Sequence, residues 1–463
     1  MRTRTRTVAA ALATAAGLLA LALPAVAAPP PTMHWYRWHP SAYTLQDRST
    51  RPGDTAVLGV ASMRELPLLR SRYRFRVRAA YPQLRAAEVA VTRSLLANAI
   101  HDRRIRYLSP LGSQRHLTAA PSDPFVSALD PLTHLPLEWQ FAAAHLDQAL
   151  EISPGSPSIL VGTIDSGAAD VPDLAGKVDE RWTVSRQGKL TRDRYASDLF
   201  GHGTAVASLI AANVDDGFGM AGFGGATHLI AVRAWAFTDV PIAAALMKLD
   251  SLGVRIVNLS FGGDTPEKPI MLDAIHRAAA DGMLLVAAAG NSARAVSHPA
   301  ADLQPAGGGP SYGLAVGASD AQGKLAFFSN SGRHLSLLAP GSYDGQCSGV
   351  LVALAPGTPA FDGSCYPAWG GTDGAAYAYV AGTSFSAPEV AGVAALIWSA
   401  RPRLTNSQVA DIIKESAQRD GAWKPSVGCG LLDAGAALRL ATSRSGDEWA
   451  AAAAPTGACS AGE

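Results

Sequence analysis

From residue 158 onward, short apolar runs alternate with segments of helical periodicity, and this alternation constrains the fold more than any other feature of the chain. The runs that predict buried strands are rich in Val, Ile, Leu and Ala and cover residues 159–164, 229–232, 254–261, 283–289 and 314–318. The segments that predict helices cover residues 204–212, 242–252, 270–281, 388–400 and 407–417. This order predicts an α/β fold with a doubly wound, mostly parallel sheet flanked by helices. Ligands of such sheets bind beyond the carboxyl ends of the strands.

The first 27 residues have the three parts of a secretory signal peptide. Three arginines precede an apolar run at residues 8–23, and the small residues Ala25-Val26-Ala27 follow it. The apolar run is shorter than the roughly 20 residues that span a bilayer. We therefore predict cleavage after Ala27, secretion to an extracellular or periplasmic location, and no membrane association once the signal is removed.

Residues 28–118 form a separate, small α+β region. Its clearest patterns are a strand by strict alternation at 72–78 and a helix at 84–100, followed by a further segment at 103–108. We expect a main domain at 119–441 and a low-complexity tail at 442–463.

The charges of the chain are divided between these regions. The whole chain has a formal net charge of +1, yet residues 1–118 hold 18 Arg, no Lys and five acidic residues, a net of +13 that leaves −12 for the remainder. Such segregation bears on partners and solubility and not on the fold. No polybasic tract or Cys/His finger spacing indicates nucleic acid as a partner.

Four cysteines in an exported chain predict two disulfides with three possible connectivities. Cys347 with Cys365 is the favoured pair because it would close a loop rich in Gly, Ser and Pro, which leaves Cys429 with Cys459. No CxxC pair or Cys/His cluster indicates a metal or redox role.

Four polar residues occur in glycine-containing motifs where the predicted sheet would place a site. The motifs are Gly162-Thr-Ile-Asp165-Ser-Gly167, Gly201-His202-Gly-Thr204, Ala289-Gly-Asn291 and Gly382-Thr-Ser384. Each alone is compatible with a structural role such as a helix cap. Together they supply a serine nucleophile, an imidazole that takes its proton and a carboxylate that orients the imidazole. The carboxamide can donate a hydrogen bond to an oxyanion.

In sequence and in order, these motifs resemble those of the subtilisin-like serine peptidases over roughly residues 119–440. Supporting similarity occurs at residues 257–263, 316–318, 328–330, 339–341 and 430–434. The resemblance implies a secreted serine endopeptidase with a subtilisin-like fold. It implies that Ser384 is the nucleophile and that Asn291 stabilises the oxyanion. It also implies that His202 is the general base and then the general acid, and that Asp165 orients it.

The same resemblance suggests how polypeptide substrates bind. Ser260, Phe261 and Gly262 match the segment that pairs with extended substrate backbone, a mode in which main-chain hydrogen bonds give affinity. Gly290 and Phe261 match walls of the main pocket, which implies apolar residues before the scissile bond.

The resemblance also implies a propeptide and a possible metal. Residues 28–118 have the position of a propeptide that assists folding, inhibits the enzyme and is removed by self-processing. Asp173 and Asp216 match positions that supply a calcium site in some members of the family, and carboxylate oxygens suit that ion. Asp216 is equally compatible with an exposed turn. No cofactor is expected for the chemistry.

Two other functions remain open from the sequence. A sedolisin-type acid peptidase shares a Gly-Thr-Ser signature but uses Glu and Asp in place of a catalytic His. The motif around His202 argues against this class, and a neutral-to-alkaline pH optimum would also argue against it. A catalytically silent binding module could also retain the fold.

Overall fold

The computed structural model describes residues 52–53, 55–99, 101–110, 121–130, 135–198, 200–304, 311–343, 349–355, 369–370, 376–418, 423–443 and 459. The chain divides into two compact units, Met1–His116 and Leu117–Glu463. The predicted signal peptide lies outside the described residues, as does the predicted tail apart from residues 442, 443 and 459.

The first unit contains a four-stranded antiparallel sheet in the order β2-β3-β1-β4. Its elements are β1 Thr55–Val60, α1 Leu66–Tyr73, β2 Arg76–Tyr81, β3 Ala86–Ala90, α2 Arg93–Asn98 and β4 Ile105–Pro110. Leu58 of the sheet, Leu69 of α1 and Leu95 of α2 are fully buried in one core. The unit therefore has the predicted α+β class.

Two local predictions in this unit were wrong in their bounds. The predicted strand at 72–78 begins only at Arg76, because α1 continues to the buried Tyr73 and Arg74 then adopts a left-handed conformation with φ 52°. The first half of the predicted helix at 84–100 is instead strand β3, which pairs with both β1 and β2. The helix starts after Thr92, whose hydroxyl caps the N–H of Leu95 at 3.1 Å.

The second unit contains an eight-stranded sheet in the order β12-β11-β10-β9-β5-β8-β6-β7, parallel except at β7. Its strands are β5 Leu160–Asp165, β6 Val178–Val184, β7 Leu190–Arg192, β8 His228–Ala234, β9 Ile256–Leu259, β10 Leu284–Ala288, β11 Gly313–Ser319 and β12 Leu337–Pro340. A separate antiparallel sheet is formed by β13 Val350–Leu354, β14 Trp369–Gly370 and β15 Ala376–Val380.

Helices cover both faces of the large sheet. They are α3 Pro124–Ser127, α4 Trp139–Ala143, α5 Leu146–Ile152, α6 His202–Ala211, α7 Asp239–Ser251, α8 Pro269–Ala280, α9 Ala300–Leu303, α10 Thr383–Ala400, α11 Asn406–Ser416 and α12 Ala434–Ser443. Successive residues of β10 point to opposite faces, so Val286 packs in the core with α6 and α10 while Leu285 packs in the core with α7 and α8. Burial on both faces explains why the strands are apolar runs without polar alternation. The predicted doubly wound fold is confirmed.

No helix among the described residues is long and apolar enough to cross a membrane.

Glu138 and Glu389 of the second unit are completely buried. Glu138 precedes α4, and one of its oxygens accepts the N–H of Ala221 at 3.0 Å. Among the described residues, the other oxygen of Glu138 and both oxygens of Glu389 on α10 have no hydrogen-bond donor. Burial raises the pKa of Glu389 well above its ordinary value, and the charge of Glu138 adds to this. The pKa of Glu138 is also raised well above the ordinary value by burial, with further contributions from Asp123 and Asp173.

These raised pKa values predict that the second unit loses stability as pH rises. Above the ordinary pKa of 4.5 the unfolded chain releases protons that the folded chain still holds at Glu138 and Glu389, so unfolding becomes more favourable. Glu389→Gln mimics the protonated group and should remove part of this dependence. We expect the variant to be more stable than its parent at pH 9, where the buried glutamate opposes folding, and to differ little from it near pH 4.

The measurement is denaturant unfolding from pH 4 to pH 9 in a chain carrying Ser384→Ala, which removes the predicted nucleophile. Glu151→Gln, at an exposed position of α5, is the matched control. Equal pH slopes for the two variants would contradict the prediction.

Candidate active site

The sequence-predicted aspartate and histidine lie together at the carboxyl edge of the large sheet. Asp165 is the last residue of β5, and His202 is the first residue of α6. A carboxylate oxygen of Asp165 lies 2.8 Å from Nδ1 of His202, and the same oxygen accepts the N–H of Ser166 at 2.7 Å. Because a carboxylate accepts this bond, Nδ1 carries the proton and Nε2 is the proton acceptor. The side chain of His202 is 26% exposed whereas that of Asp165 is 4% exposed, so a substrate can reach only the imidazole.

The electrostatics of His202 suit a base that becomes charged. Burial lowers its pKa, but the charge of Asp165, the hydrogen bond to that carboxylate and the charge of Asp198 outweigh burial and raise the pKa above 6.5. These carboxylates therefore stabilise the imidazolium that forms when His202 accepts a proton.

The glycines around His202 are required by close backbone contacts. Gly201 has a φ of 84°, a left-handed conformation that glycine adopts without strain. A Cβ on Gly203 would collide with the carbonyl oxygen of Gly167 in the turn after β5. The motif thus lets α6 start directly against the strand that carries Asp165.

Ser384 is the second residue of α10, and the side chain of the residue that follows it lies near the histidine. The ring of Phe385 lies 5.3 Å from the imidazole of His202, centroid to centroid. The hydroxyl of Ser384 donates to the carbonyl oxygen of Ser260 at 3.2 Å. The hydroxyl of Ser260 in turn donates to the carbonyl oxygen of Ser384 at 2.6 Å. The predicted nucleophile is thereby joined to the predicted substrate-pairing segment after β9.

Asn291 follows β10, and its side chain is oriented by Thr383. The amide oxygen of Asn291 accepts both the N–H and the hydroxyl of Thr383, each at 2.9 Å. The hydroxyl oxygen of Thr383 also accepts the N–H of Gly290 at 3.0 Å. With its oxygen occupied, the amide presents its N–H₂ group as a donor, which is the group that an oxyanion needs. Sequence reasoning missed Thr383 as the residue that holds this amide.

Gly262 of the predicted substrate-pairing segment and Gly290 of the predicted pocket wall both approach Ser297, a residue that the sequence analysis did not identify. A Cβ on Gly262 would lie 3.2 Å from Cβ of Ser297, and a Cβ on Gly290 would lie 2.5 Å from its hydroxyl. The Ser297 hydroxyl accepts a hydrogen bond from Nδ2 of Asn330 at 3.0 Å. Ser297 therefore fills the space between the two glycine segments with a fixed, polar side chain.

The predicted pocket residue Phe261 belongs to an aromatic pair. Its ring lies 5.0 Å from that of Phe237, which follows β8 and is 47% exposed. This pair gives the edge of the sheet an apolar surface beside the substrate-pairing segment.

Asp173 and Asp216, the predicted calcium ligands, do not by themselves form a complete metal-binding site. The two oxygens of Asp173 already accept hydrogen bonds, from the N–H of Met220 at 2.9 Å and from the hydroxyl of Tyr377 at 2.7 Å. Asp216 accepts the N–H of Phe218 in a turn. Within the described part of the chain, no group of three or more His, Cys, Asp or Glu side chains could hold a metal. The calcium site stays a prediction without structural support from these residues.

One of the two predicted disulfides lies in the described part of the chain. Cys429 is joined to Cys459, with their Cα atoms 5.6 Å apart. Cys347 and Cys365 lie outside the described residues, so their pairing stays a prediction.

Comparison with known proteins agrees with this geometry. A family model described as the subtilase family matches residues 156–430. A thermophilic serine proteinase of Bacillus sp. (strain AK1) is 30% identical over 280 residues, which cover 59% of this chain and 60% of that protein. Subtilisin Savinase of Lederbergia lenta is 31% identical over 286 residues, 61% of this chain and 91% of that protein. A solved protease of Pseudoalteromonas arctica PAMC 21717 shares the fold, with a TM-score of 0.57 and 24% identity over 70% of this chain and 100% of that one.

The orientation of Asn291 leads to a prediction about its removal. Asn291→Leu keeps a similar volume but cannot donate a hydrogen bond to the oxyanion. We expect kcat to fall about 100- to 1,000-fold with little change in KM, a magnitude taken from the corresponding substitution in subtilisin itself. The measurement is steady-state hydrolysis of a peptide substrate. A variant of the half-buried Asn213, Asn213→Leu, is the control, and a variant of Asn291 that retained wild-type kcat would contradict the assigned role.

Proposed function

This chain belongs to the subtilase family of serine-type endopeptidases, and from that membership we propose that it hydrolyses polypeptides through an acyl-enzyme formed on Ser384. The observation that carries the proposal is the 2.8 Å contact between Asp165 and His202 at the sheet edge where α10 begins. The oriented amide of Asn291 at the same edge supports it. This arrangement favours a working enzyme over a silent binding module, and it favours His202 over the acidic residues of a sedolisin-type peptidase.

In the proposed reaction, Oγ of Ser384 forms a bond to the carbonyl carbon of the scissile peptide while Nε2 of His202 takes the hydroxyl proton. The carbonyl oxygen becomes an oxyanion that accepts a hydrogen bond from Asn291. The carbon–nitrogen bond then breaks as His202 returns the proton to the leaving amine. Water, deprotonated by His202, attacks the acyl-enzyme and restores Ser384. Each step uses only groups of the chain and water, so we propose that no cofactor is required.

The chain is further proposed to be a secreted precursor. Residues 1–27 would direct export, and residues 28–118 would be a propeptide that the enzyme removes itself. Without the three arginines of the signal, the propeptide carries a net charge of +10 against −12 for the remainder. Opposite charges favour association of the two parts and a role of the propeptide as folding aid and inhibitor.

Labelling with a fluorophosphonate probe tests the proposed nucleophile. The probe bonds to an activated serine hydroxyl and loses fluoride, so we expect the wild-type chain to be labelled and Ser384→Ala to be unlabelled. Ser399→Ala, in the same helix, should be labelled like wild type. Mass spectrometry of the same samples should show shortening of the precursor only when Ser384 is present. Absence of label in the wild type would refute the peptidase, and identical shortening of Ser384→Ala would refute self-processing.

The position of Ser297 leads to a prediction about specificity. Its side chain shortens the space between Gly262 and Gly290, so the pocket should favour medium-sized apolar side chains before the scissile bond. Ser297→Gly should raise kcat/KM for a Phe substrate relative to an Ala substrate by roughly tenfold or more, the effect of a methylene-sized change in an apolar pocket.

A matched peptide pair measures this ratio. Ser158→Gly, at an exposed position before β5, is the control and should leave the ratio unchanged. An unchanged ratio in Ser297→Gly would show that this residue does not limit the pocket.

A further inference from the structure

A second buried aspartate lies close to His202, and the catalytic scheme above assigns no hydrogen bond to it. Asp198 belongs to the segment between β7 and α6 and is 6% exposed. Its carboxylate accepts five hydrogen bonds, from the hydroxyl of Ser166 at 2.8 Å, the N–H groups of Phe200 at 3.2 Å, Gly201 at 2.9 Å and Thr204 at 2.8 Å, and the hydroxyl of Thr204 at 2.7 Å. Every one of these partners donates a hydrogen bond, so the site suits a carboxylate, whose two oxygens accept.

These bonds connect the two segments that carry the catalytic pair. Ser166 directly follows Asp165, and its hydroxyl oxygen accepts the N–H of Gly203 at 2.9 Å while its proton goes to Asp198. The hydroxyl oxygen of Thr204 likewise accepts the N–H of Ala169 at 3.0 Å while its proton goes to Asp198. The turn after β5 and the first turn of α6 are therefore held by one network with Asp198 at its centre.

The position of His202 depends on this network. It lies between Gly201 and Gly203, whose N–H groups are bonded to Asp198 and Ser166 respectively. No side chain of the N-cap residue Gly201 can cap the helix, so Asp198 caps it from outside. A negative charge at the N-terminus of a helix is also favourable to the helix dipole. The residues beside both members of the Asp165–His202 pair are thus fixed by hydrogen bonds.

Asp198 also acts on His202 through its charge. Asp165 at the end of β5 and Asp198 in the segment before α6 are the two carboxylates whose charges raise the pKa of this histidine against the effect of burial. Removal of one negative charge should therefore lower that pKa. A carboxylate that only capped the helix from a distance would not have this effect.

We propose that Asp198 is a positioning residue of the peptidase, which holds the turn after β5 against the start of α6 and thereby sets the contact between Asp165 and His202. The inference rests on the proposed function. Because the hydrogen bonds of Asp198 go to the turn after β5 and to the start of α6, its loss should affect kcat more than KM.

The test is Asp198→Asn in the full chain, with Asp193→Asn as matched control. The N–H₂ group of an asparagine would have to face one of these hydrogen-bond donors, so the substitution breaks the network. The substitution also removes the negative charge of Asp198. Asp193 is a buried carboxylate of the same segment, but its partners are Arg233 and groups at residues 183, 195 and 197. It makes no hydrogen bond to α6 among the described residues.

We expect Asp198→Asn to lower kcat about 100-fold, the effect of a displacement of about 1 Å in a catalytic group. KM should change little, and the acid limb of kcat/KM against pH should move to lower pH. Asp193→Asn should retain the wild-type kcat and acid limb. A thermal melt of each variant separates this outcome from loss of the fold.

The proposal is overturned if Asp198→Asn melts earlier but keeps the wild-type kcat and acid limb, since the residue would then be only a cap. If Asp198→Asn does not fold, Ser166→Ala removes the hydroxyl that links Asp198 to Gly203 and leaves the other four hydrogen bonds of Asp198 in place. A lower kcat with unchanged KM in that variant supports the proposal, and an unchanged kcat overturns it. Fluorophosphonate labelling of the wild type is the reference. Lack of labelling of the wild type would contradict the proposed function rather than the positioning role of Asp198.

Discussion

The parallel pairing of β5 with β9 and of β9 with β10 is the constraint on which the rest of the second unit depends. In a parallel sheet the carboxyl ends of neighbouring strands meet at one edge, so residues far apart in the sequence become neighbours. Asp165 ends the first strand, Ser260 follows the second and Asn291 follows the third. Helix α10 packs on all three strands and brings Ser384 to the same edge.

The buried acidic residues of this unit differ in how their burial is compensated. Asp198 and Asp165 accept hydrogen bonds from donors in the segments that they connect. Glu389 has no donor among the described residues, and burial there favours the neutral form.

The sequence was sufficient for the architecture of the second unit because both faces of its sheet are buried, which makes each strand an apolar run. The sequence was less reliable in the first unit, because the segment that forms β3 has an apolar spacing that also fits a helix. This segment is a strand because it pairs with two neighbouring strands, β1 and β2. The candidate catalytic residues could be predicted from the sequence because they lie in glycine-containing motifs. Ser297 and Asp198 lie outside those motifs, and their importance depends on contacts with residues distant in the chain.

The same hydrogen bonds join recognition and catalysis at the sheet edge. Ser260 of the substrate-pairing segment is bonded to Ser384 in both directions, and Gly290 of the pocket wall is bonded to Thr383. A change in either segment would therefore displace the nucleophile or the oxyanion donor together with the pocket. Among the described residues, the side chain of Ser297 is bonded to Asn330, whose amide oxygen accepts the N–H groups of Ser292 and Arg294 on the segment that carries Asn291. A change at Ser297 would therefore also reach the segment that holds the proposed oxyanion donor, so substrate preference and the geometry of the site are coupled at this position.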